Sequence, residues 1–369
     1  MHGGRLAPPD DGRRPSVVIR PAAEADVGLF CDMSRRAHPG EPVCDATFVR
    51  WKHLESPAGT STLVSLAGPD GDERGRIWSM PRTWRHRGRL IDARNPVDLV
   101  VEEEHRSLPV LISLLRRAIT DDDLSGEVVF HTSNLTTGFI YERMMRMQPM
   151  VELDAAVWPV NPLTCAQVAR GKTPSRLVRM IDGILRTAIR PLASLAGRRV
   201  VLAREADPAQ KAAVVAAFHA GQRLAHDRSP EWLEWRLRGP STSPAGEYAL
   251  RWVLRDDRVV GWVGTADRVV DGLSIRFVLD VALPGARRPT IRATWWRVIA
   301  RACSGQADIL VFFGNLEGND DQRRLRGWPL IAISRDRVPQ RVPLFVHGDG
   351  VAADDVRTGY WTLSDFDMV

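Results

Sequence analysis

Lysine is almost absent from this 369-residue chain: it occurs only as Lys52, Lys172 and Lys211, and arginine supplies the rest of the 51 basic residues. We attribute this preference to a GC-rich genome rather than to a ligand. Apolar runs of about 20 residues, the length that spans a bilayer, are also missing. The N-terminal sequence MHGGRLAPPDDGRRP lacks the apolar core of a secretory signal. These absences predict a cytoplasmic protein without a membrane span, peripheral contact with a membrane being left open.

Cysteine is scarce as well, and its four positions lie far apart without a CxxC pair. This spacing supports neither a zinc site nor a disulfide framework, and it favours a reducing compartment. The nine histidines show no metal-ligand spacing, so we expect no metal. HExxH, GxSxG and GxGxxG motifs do not occur, which removes the usual signatures of zinc proteases, serine hydrolases and dinucleotide-binding folds.

Positive charge is concentrated in one segment. Residues 170–199 contain eight basic residues and one acid, Asp182, and carry a net charge of +7, whereas the whole chain carries +6. The segment also has apolar side chains at the three- and four-residue spacing of one helix face, namely Leu177, Ile181, Ile184, Ala188, Leu192 and Leu195. The pattern predicts a basic amphipathic helix that begins near Pro174 and kinks or ends at Pro191.

Two interpretations of this helix stay open. Its apolar face packs on a neighbouring domain, or the helix is a docking surface for an acidic carrier protein, tRNA or an anionic membrane. We expect no DNA ligand, because the charge is confined to one strip.

The sequences on either side of the basic segment resemble each other. FVRWKHLESPAG (48–59) and WLEWRLRGPSTSPAG (232–246) both place an aromatic residue three positions before a tryptophan, follow it with a basic residue and reach Ser-Pro-Ala-Gly. The apolar runs GEVVFHTSN (126–134) and ADILVFFGN (307–315) both end in asparagine. A nearly constant offset of about 180–184 residues relates these pairs, which indicates an internal duplication.

Each half predicts the same order: a strand and a helix, an antiparallel meander, a helix, a strand, and a closing helix and strand. We therefore predict an α+β fold of mixed sheets with flanking helices, in which the sheet opens at the end of its fourth strand. The predicted organisation is a disordered N-terminus (1–15), a first domain (16–165), a linker with the basic helix (166–198) and a second domain (199–369).

This order, with the opening IRPAAEADV (19–27), resembles the GNAT acyltransferase superfamily in two tandem copies. The tandem arrangement, the element Phe48-x-x-Trp51-Lys52 and the arginine-rich linker resemble bacterial two-domain GNAT proteins of polysaccharide or secondary-metabolite assembly. The resemblance implies a transferase that binds acetyl-CoA or another acyl thioester where the fourth strand separates from the fifth.

The resemblance places donor contacts at the end of the fourth strand, on Val100, Val101 and Arg106. Arg106 matches the first position of the pyrophosphate signature Arg/Gln-x-x-Gly-x-Gly/Ala, which opens a helix. Pro109 and Leu111 hold its glycine positions, and Glu102 to Glu104 are acidic. These departures make a carrier-protein thioester credible, because a carrier supplies contacts of its own.

The resemblance assigns the general acid to Tyr141, which would protonate the departing thiolate. Asn134 matches an asparagine that contacts the pantetheine arm, helix capping being its alternative role. Candidate bases at the open end of the fourth strand are Glu102, Glu103 and His105. Trp51 and Lys52 are candidates for the acceptor pocket, with packing as the alternative for Trp51.

The second half departs from the signature in other ways. Gly285, Arg287 and Arg288 occupy its pyrophosphate run and attract an anion, whereas Arg323 stands at the tyrosine position.

We therefore predict an N-acyltransferase that moves an acyl group from acyl-CoA or a carrier-bound thioester to an amine of a sugar or small metabolite in a biosynthetic pathway. The first half would hold the site, and the second would complete the acceptor cleft. Two alternatives stay open: a transferase of the same fold that uses aminoacyl-tRNA, and a non-catalytic GNAT-like binding module.

Overall fold

The structure is a computed structural model that describes residues 16–68, 73–121, 124, 128–133, 138–240, 247–335, 341–348 and 350–366. The predicted disordered N-terminus (1–15) lies outside these residues.

The elements up to the basic segment follow the predicted order. Helix α2 begins where the Asp45 carboxylate accepts a hydrogen bond from the amide of Phe48 at 2.9 Å. The elements are β1 (Ser16–Pro21), α1 (Glu24–Ala37), α2 (Ala46–His53), β2 (Thr62–Ala67), β3 (Glu73–His86), β4 (Arg89–Val101), α3 (Leu108–Thr120), β5 (Val128–Thr132), a π-helical turn (Ile140–Met144), β6 (Val151–Glu152) and β7 (Asp154–Pro159).

The remainder begins with two helices and then repeats the order. Side chains again cap helix starts, since Ser175, Asp207 and Ser229 each accept from an amide three residues later. The elements are α4 (Pro162–Val168), α5 (Arg176–Ala196), β8 (Val201–Ala203), α6 (Pro208–Gly221), β9 (Leu224–His226), α7 (Pro230–Arg238), β10 (Tyr248–Arg255), β11 (Arg258–Val270), β12 (Leu273–Ala282), α8 (Arg288–Ser304), β13 (Ile309–Gly314), α9 (Asp320–Leu325), β14 (Ile331–Ile333), β15 (Pro343–His347) and α10 (Ala353–Arg357).

The strands form two mixed sheets, which confirms the predicted α+β class. The first sheet has the order β1-β2-β3-β4-β5-β15-β6, with β9 paired to β3, and the second has the order β14-β7-β13-β12-β11-β10-β8. The first sheet thus contains two strands from the second half, β9 and β15, and the second sheet contains β7 from the first half. β7 pairs antiparallel with β13, and β15 pairs antiparallel with β5.

The sequence places these two strands in their own halves, and that expectation is wrong. Only Leu153 separates β6, which stays in the first sheet, from β7, which crosses to the second. Alternating and apolar patterns predict a strand but not its partner, because any exposed sheet edge offers the same backbone donors and acceptors. The domain boundaries themselves stay a prediction.

Both sheets open into a fork, as predicted for the fourth strand. β4 pairs with β5 only at Ala93 and Arg94, so residues 95–101 continue without a strand partner on that side in the part of the chain that the structure describes. β12 pairs with β13 over Ile275–Val278 and then separates. A bulge lies in each diverging strand: in β4 it contains Asp98, whose φ is +52°.

The duplicated aromatic motifs meet where the two halves join. The indole nitrogen of Trp51 donates to the carbonyl of Trp235 at 3.2 Å, and the indole nitrogen of Trp235 donates to the carbonyl of Trp51 at 3.1 Å. The two rings lie 5.1 Å apart. This reciprocity is that of a two-fold contact, and it matches the duplication read from the sequence. The core around it draws on both halves, for example where Trp84 meets Trp361 at 5.0 Å.

The orientation of helix α5 contradicts one of the two interpretations of the basic segment, in which the apolar face packs on a neighbouring domain. The helix continues through Pro191 to Ala196. This proline therefore does not end the helix, and backbone hydrogen bonding continues after it. Asp182 and Ala193 are buried and Ile189 packs beside α8, whereas the predicted apolar stripe is exposed. Packing of that stripe on a domain is therefore wrong. The buried side of the helix is narrow, because small side chains and side chains that cap a neighbouring helix are enough to hold α5 against the protein.

Because β15 completes the first sheet, a cavity there should destabilise it. Phe345 of β15 is fully buried, and its ring stacks on His131 of β5 at 5.2 Å. We predict that Phe345→Ala lowers the free energy of unfolding by about 3–5 kcal/mol. Urea unfolding followed by circular dichroism measures this. Leu90→Ala, at a half-exposed site on β4, is the control. Equal losses in both variants would contradict the role given to β15.

Candidate functional site

The first fork lies between two apolar clusters. Val100 packs with the side chains of α1 and α2, whereas Val101 packs on the other face with α3 and Tyr141. Consecutive strand residues point to opposite faces, so the free edge of β4 offers its backbone groups between the clusters. This is the place predicted for the donor, and the donor contacts of Val100 and Val101 stay a prediction.

Acidic groups surround the mouth of this fork. Glu102, Glu104 and His105 each place one ligand atom within 4.8 Å of the others, so the structure brings two of the predicted bases together. Glu102 also pairs with Arg36 at 2.7 Å. Arg106 turns back to the carbonyl of Val101 at 3.3 Å. The start of α3 is therefore a poor place for a pyrophosphate, because the carboxylates offset the positive potential of the helix N-terminus.

Tyr141 lies in the π-helical turn, where the sequence predicts the closing helix of the first half. Its ring is buried and packs on the ring of His131, with centroids 3.9 Å apart. Burial raises the pKa of Tyr141 well above its usual value, so the hydroxyl stays protonated, as a general acid requires. Asn134, the predicted pantetheine contact, lies outside the described residues.

His131 is a further buried group beside Tyr141. Neither ring nitrogen has a hydrogen-bond partner within the described residues. Burial, with a smaller contribution from His347, lowers the pKa of His131 to about 3, so its ring is neutral at pH 7. A neutral ring on β5 keeps this wall of the fork free of charge.

Lys52 belongs to an ionic cluster that the sequence reasoning missed. Lys52 Nζ lies 2.5 Å from Asp98 Oδ2, and His53 Nε2 lies 2.8 Å from the same oxygen. His53 Nδ1 lies 3.0 Å from the hydroxyl of Ser61. Burial opposes the charge of Asp98, but Lys52 and His53 outweigh it and hold the pKa of this carboxyl well below its usual range. The cluster fastens α2 to the bulge of β4.

The predicted acceptor residues therefore lie in dense surroundings. Trp51 is buried against Trp235, and Lys52 is buried with its ammonium on Asp98. Their acceptor roles stay a prediction, although the packing alternative agrees with where Trp51 lies. The signal that would have found the cluster is an aspartate at a positive-φ bulge next to a Lys-His pair, and the bulge is invisible in the sequence.

The second fork is filled by the end of the chain, which we call the C-terminal wedge (residues 360–366). Thr362 forms a bridge with Gly314 at the end of β13. On the other side, the hydroxyl of Tyr360 donates to the carbonyl of Val281 on β12. The wedge thus occupies the gap between the two diverging strands.

Buried ion pairs hold the wedge in place. Arg228 is fully buried and lies 2.8 Å from Asp280 on β12 and 2.6 Å from Asp365 in the wedge. Arg236 donates to the carbonyls of Ser364 and Phe366 at 3.0 and 2.6 Å. Breaking such a network leaves uncompensated buried charge, so the wedge is held firmly.

A basic groove lies at the start of α8, where the second half has its pyrophosphate run. Its volume is about 670 Å³, and its lining includes Arg255, Arg258, Gly285 and Arg287. Arg255 donates to the hydroxyl of Thr290 at 2.8 Å. The helix start and the arginines attract an anion. The first half thus has an open fork with acidic groups at its mouth, whereas the second half has a filled fork and a basic helix start.

Solved structures resemble the whole chain. A GCN5-related N-acetyltransferase from Anabaena variabilis has a TM-score of 0.54 and 11% identity, covering 90% of this chain and 72% of that one. One from Kribbella flavida has a TM-score of 0.52 and 14% identity, covering 90% and 71%. Saccharomyces cerevisiae N-myristoyltransferase with bound myristoyl-CoA and inhibitors has a TM-score of 0.55 and 12% identity, covering 96% and 87%.

These likenesses confirm the predicted fold, two GNAT-like domains of mixed sheet and flanking helices. Neither a family model nor a curated protein matches the sequence.

The Asp98 cluster predicts a pH-dependent stability. The folded-state pKa of Asp98 lies below the value of about 3.9 for an unfolded aspartate, so its contribution is complete above that value and is lost progressively as the pH falls from there through the folded-state pKa. We predict that Asp98→Asn costs about 3–5 kcal/mol at pH 7, because buried Lys52 loses the carboxylate of Asp98. Urea unfolding from pH 3 to pH 7 should show the difference from wild type shrinking below pH 4. Asp92→Asn, on the exposed side of β4, is the control. A difference that stays constant over this range would rule out the assignment.

Proposed function

We propose that the protein is an N-acyltransferase that moves an acyl group from a thioester to an amine of a sugar or small metabolite in a biosynthetic pathway. The observation that carries this is the first fork, where a bulged strand with a free edge ends beside a buried tyrosine in a GNAT fold. N-acetyltransferases and an N-myristoyltransferase with bound myristoyl-CoA share the fold, which supports an acyl-thioester donor.

The residues of the first fork have matching roles in the proposed reaction. Val100 and Val101 hold the donor along β4, Arg106 contacts it just before α3, and Asn134 keeps the pantetheine contact that the family resemblance implies. The amine nitrogen attacks the thioester carbon, a C–N bond forms and the C–S bond breaks. Glu102 or His105 takes the proton from the amine, and Tyr141 gives its proton to the departing thiolate.

The acceptor enters from the side of α2 in this proposal. Trp51 and Lys52 form the wall there, and the Asp98 cluster sets the position of both the wall and the bulge. The acceptor needs no direct contact with the second fork, because the wedge fills it.

The donor class depends on the mouth of the fork. Glu102 and Glu104 oppose a pyrophosphate, and Pro109 lacks an amide hydrogen to offer one. A carrier-bound thioester avoids this conflict because its phosphate lies on the carrier. Acetyl-CoA and acyl carrier protein are therefore both donors to test.

Transfer assays with three donors distinguish the proposed function from its two alternatives. Acetyl-CoA, acyl carrier protein and aminoacyl-tRNA are each offered with a pool of sugar and metabolite amines, and products are detected by mass spectrometry. We expect transfer from a thioester. Transfer from tRNA alone would support the aminoacyl-transferase alternative. Ligand binding without transfer from any of the three would support the binding module.

Two buried tyrosines provide a matched test of the site. We predict that Tyr141→Phe lowers kcat by about 10²-fold to 10⁴-fold with little change in KM, because the thiolate loses its proton donor. Tyr360→Phe removes a hydroxyl from the second fork and should leave kcat unchanged while lowering stability. Steady-state kinetics with the accepted donor measures both. Unchanged turnover in Tyr141→Phe, or equal losses in the two variants, would show that the first fork is not the catalytic centre.

We also infer that the surface around α5 receives a macromolecular partner, for which an acidic carrier protein, tRNA and a membrane are the candidates. Exposed basic side chains without ion pairs to described residues support this role.

A further inference from the structure

Helix α5 turns its apolar side to solvent. Seven large apolar side chains on this side are between 36% and 66% exposed, namely Leu177, Met180, Ile181, Ile184, Leu185, Leu192 and Leu195. We call them the outer face of α5. Soluble helices normally bury such a stripe, so a contiguous exposed one indicates a surface that something covers.

The opposite side of α5 is fixed to the protein. The buried carboxylate of Asp182 accepts from the amides of Leu163 and Thr164 at 3.1 and 2.7 Å. Arg186 donates to the carbonyl of Gly305 at 3.1 Å. The helix cannot roll its outer face inward without breaking these bonds.

The exposed charge around the outer face has one sign. Seven basic side chains of the segment are exposed and pair with no described acid, namely Arg170, Lys172, Arg176, Arg179, Arg190, Arg198 and Arg199. Asp182 is the one acid of residues 170–199, and it is buried. The surface therefore offers aliphatic side chains and positive charge together, with no exposed acid among them.

We propose that α5 lies in the plane of an anionic membrane, with its outer face among the acyl chains and its arginines at the lipid phosphates. This commits the docking role proposed above to one partner, and it does not depend on acyl transfer. The helix of 21 residues is about 30 Å long, enough to lie along a surface. Within the described residues, no helix is long and apolar enough to cross a membrane. An interfacial helix needs the combination seen here, a large apolar side with arginines beside it.

A partner must match both the positive charge and the apolar side of α5, and this favours lipid over RNA. RNA would neutralise the arginines but would leave seven aliphatic side chains in water. An anionic bilayer places negative headgroups directly above an apolar layer, so it matches both features at once.

Vesicle sedimentation with the full chain tests the proposal. We expect the protein to bind vesicles of phosphatidylcholine and phosphatidylglycerol and to bind vesicles of phosphatidylcholine alone far more weakly. The triple variant Leu177→Ser, Ile184→Ser, Leu192→Ser should reduce the partition coefficient at least about tenfold, because each side chain loses its apolar burial. The matched control is Leu90→Ser, Val269→Ser, Ile331→Ser, at equally exposed apolar sites elsewhere; it should bind as wild type does.

A charge pair separates attraction from insertion. Arg179→Gln with Arg190→Gln should weaken binding to the anionic vesicles, whereas Arg116→Gln with Arg292→Gln, at exposed sites elsewhere, should not. No binding to anionic vesicles, or equal loss in both serine variants, would overturn the proposal. Two other results would also overturn the proposal if the protein does not bind vesicles. One is binding of tRNA or an acidic carrier that needs only the arginines, and the other is a dimer that the triple serine variant dissociates. Transfer assays with water-soluble substrates test the catalytic proposal independently.

Discussion

The exchange of β7 and β15 is the constraint on which the rest of the structure depends. β5 would be an open edge without β15, and β13 would be one without β7, so each half supplies what the other lacks. The exchange also determines the path of residues 350–366. After β15 the chain must leave the first sheet, and through α10 it reaches the second fork, where the wedge bridges Gly314. Sealing of the second fork thus follows from completion of the first sheet.

The two forks use the same kind of charge compensation, but they differ in what else the compensating cation binds. Asp98 and Asp280 lie at the bulges of β4 and β12, and each is neutralised by a buried cation, Lys52 in the first case and Arg228 in the second. The cation of the first fork comes from α2 and leaves the strand edge free. Arg228 instead also binds Asp365, so in the second fork the same need for charge compensation ties the wedge into the gap.

The sequence reveals what is local. Element order, the duplication and the opening of the sheet are predicted from periodicity and repeated motifs, and the reciprocal contact of Trp51 and Trp235 agrees with a duplication. Strand partners do not follow, because β7 and β15 would look the same in either sheet. The bulge at Asp98 depends on a skipped register that leaves no trace in residue types, so the partner of Lys52 could not be foreseen.

The orientation of α5 could not be foreseen for a related reason. The periodicity of apolar residues identifies the apolar side of the helix. It does not show whether that side faces protein, solvent or lipid. The helix is held instead by Asp182 and Arg186, which are charged, and by Ala193, which is too small to stand out in the apolar pattern.

Because α5 packs along α8, a docked outer face would also fix the orientation of the basic groove at the start of α8. Two positively charged features then belong to one rigid pair of helices. The chemistry proposed for the first fork would then lie apart from the positioning surface that α5 and α8 form together.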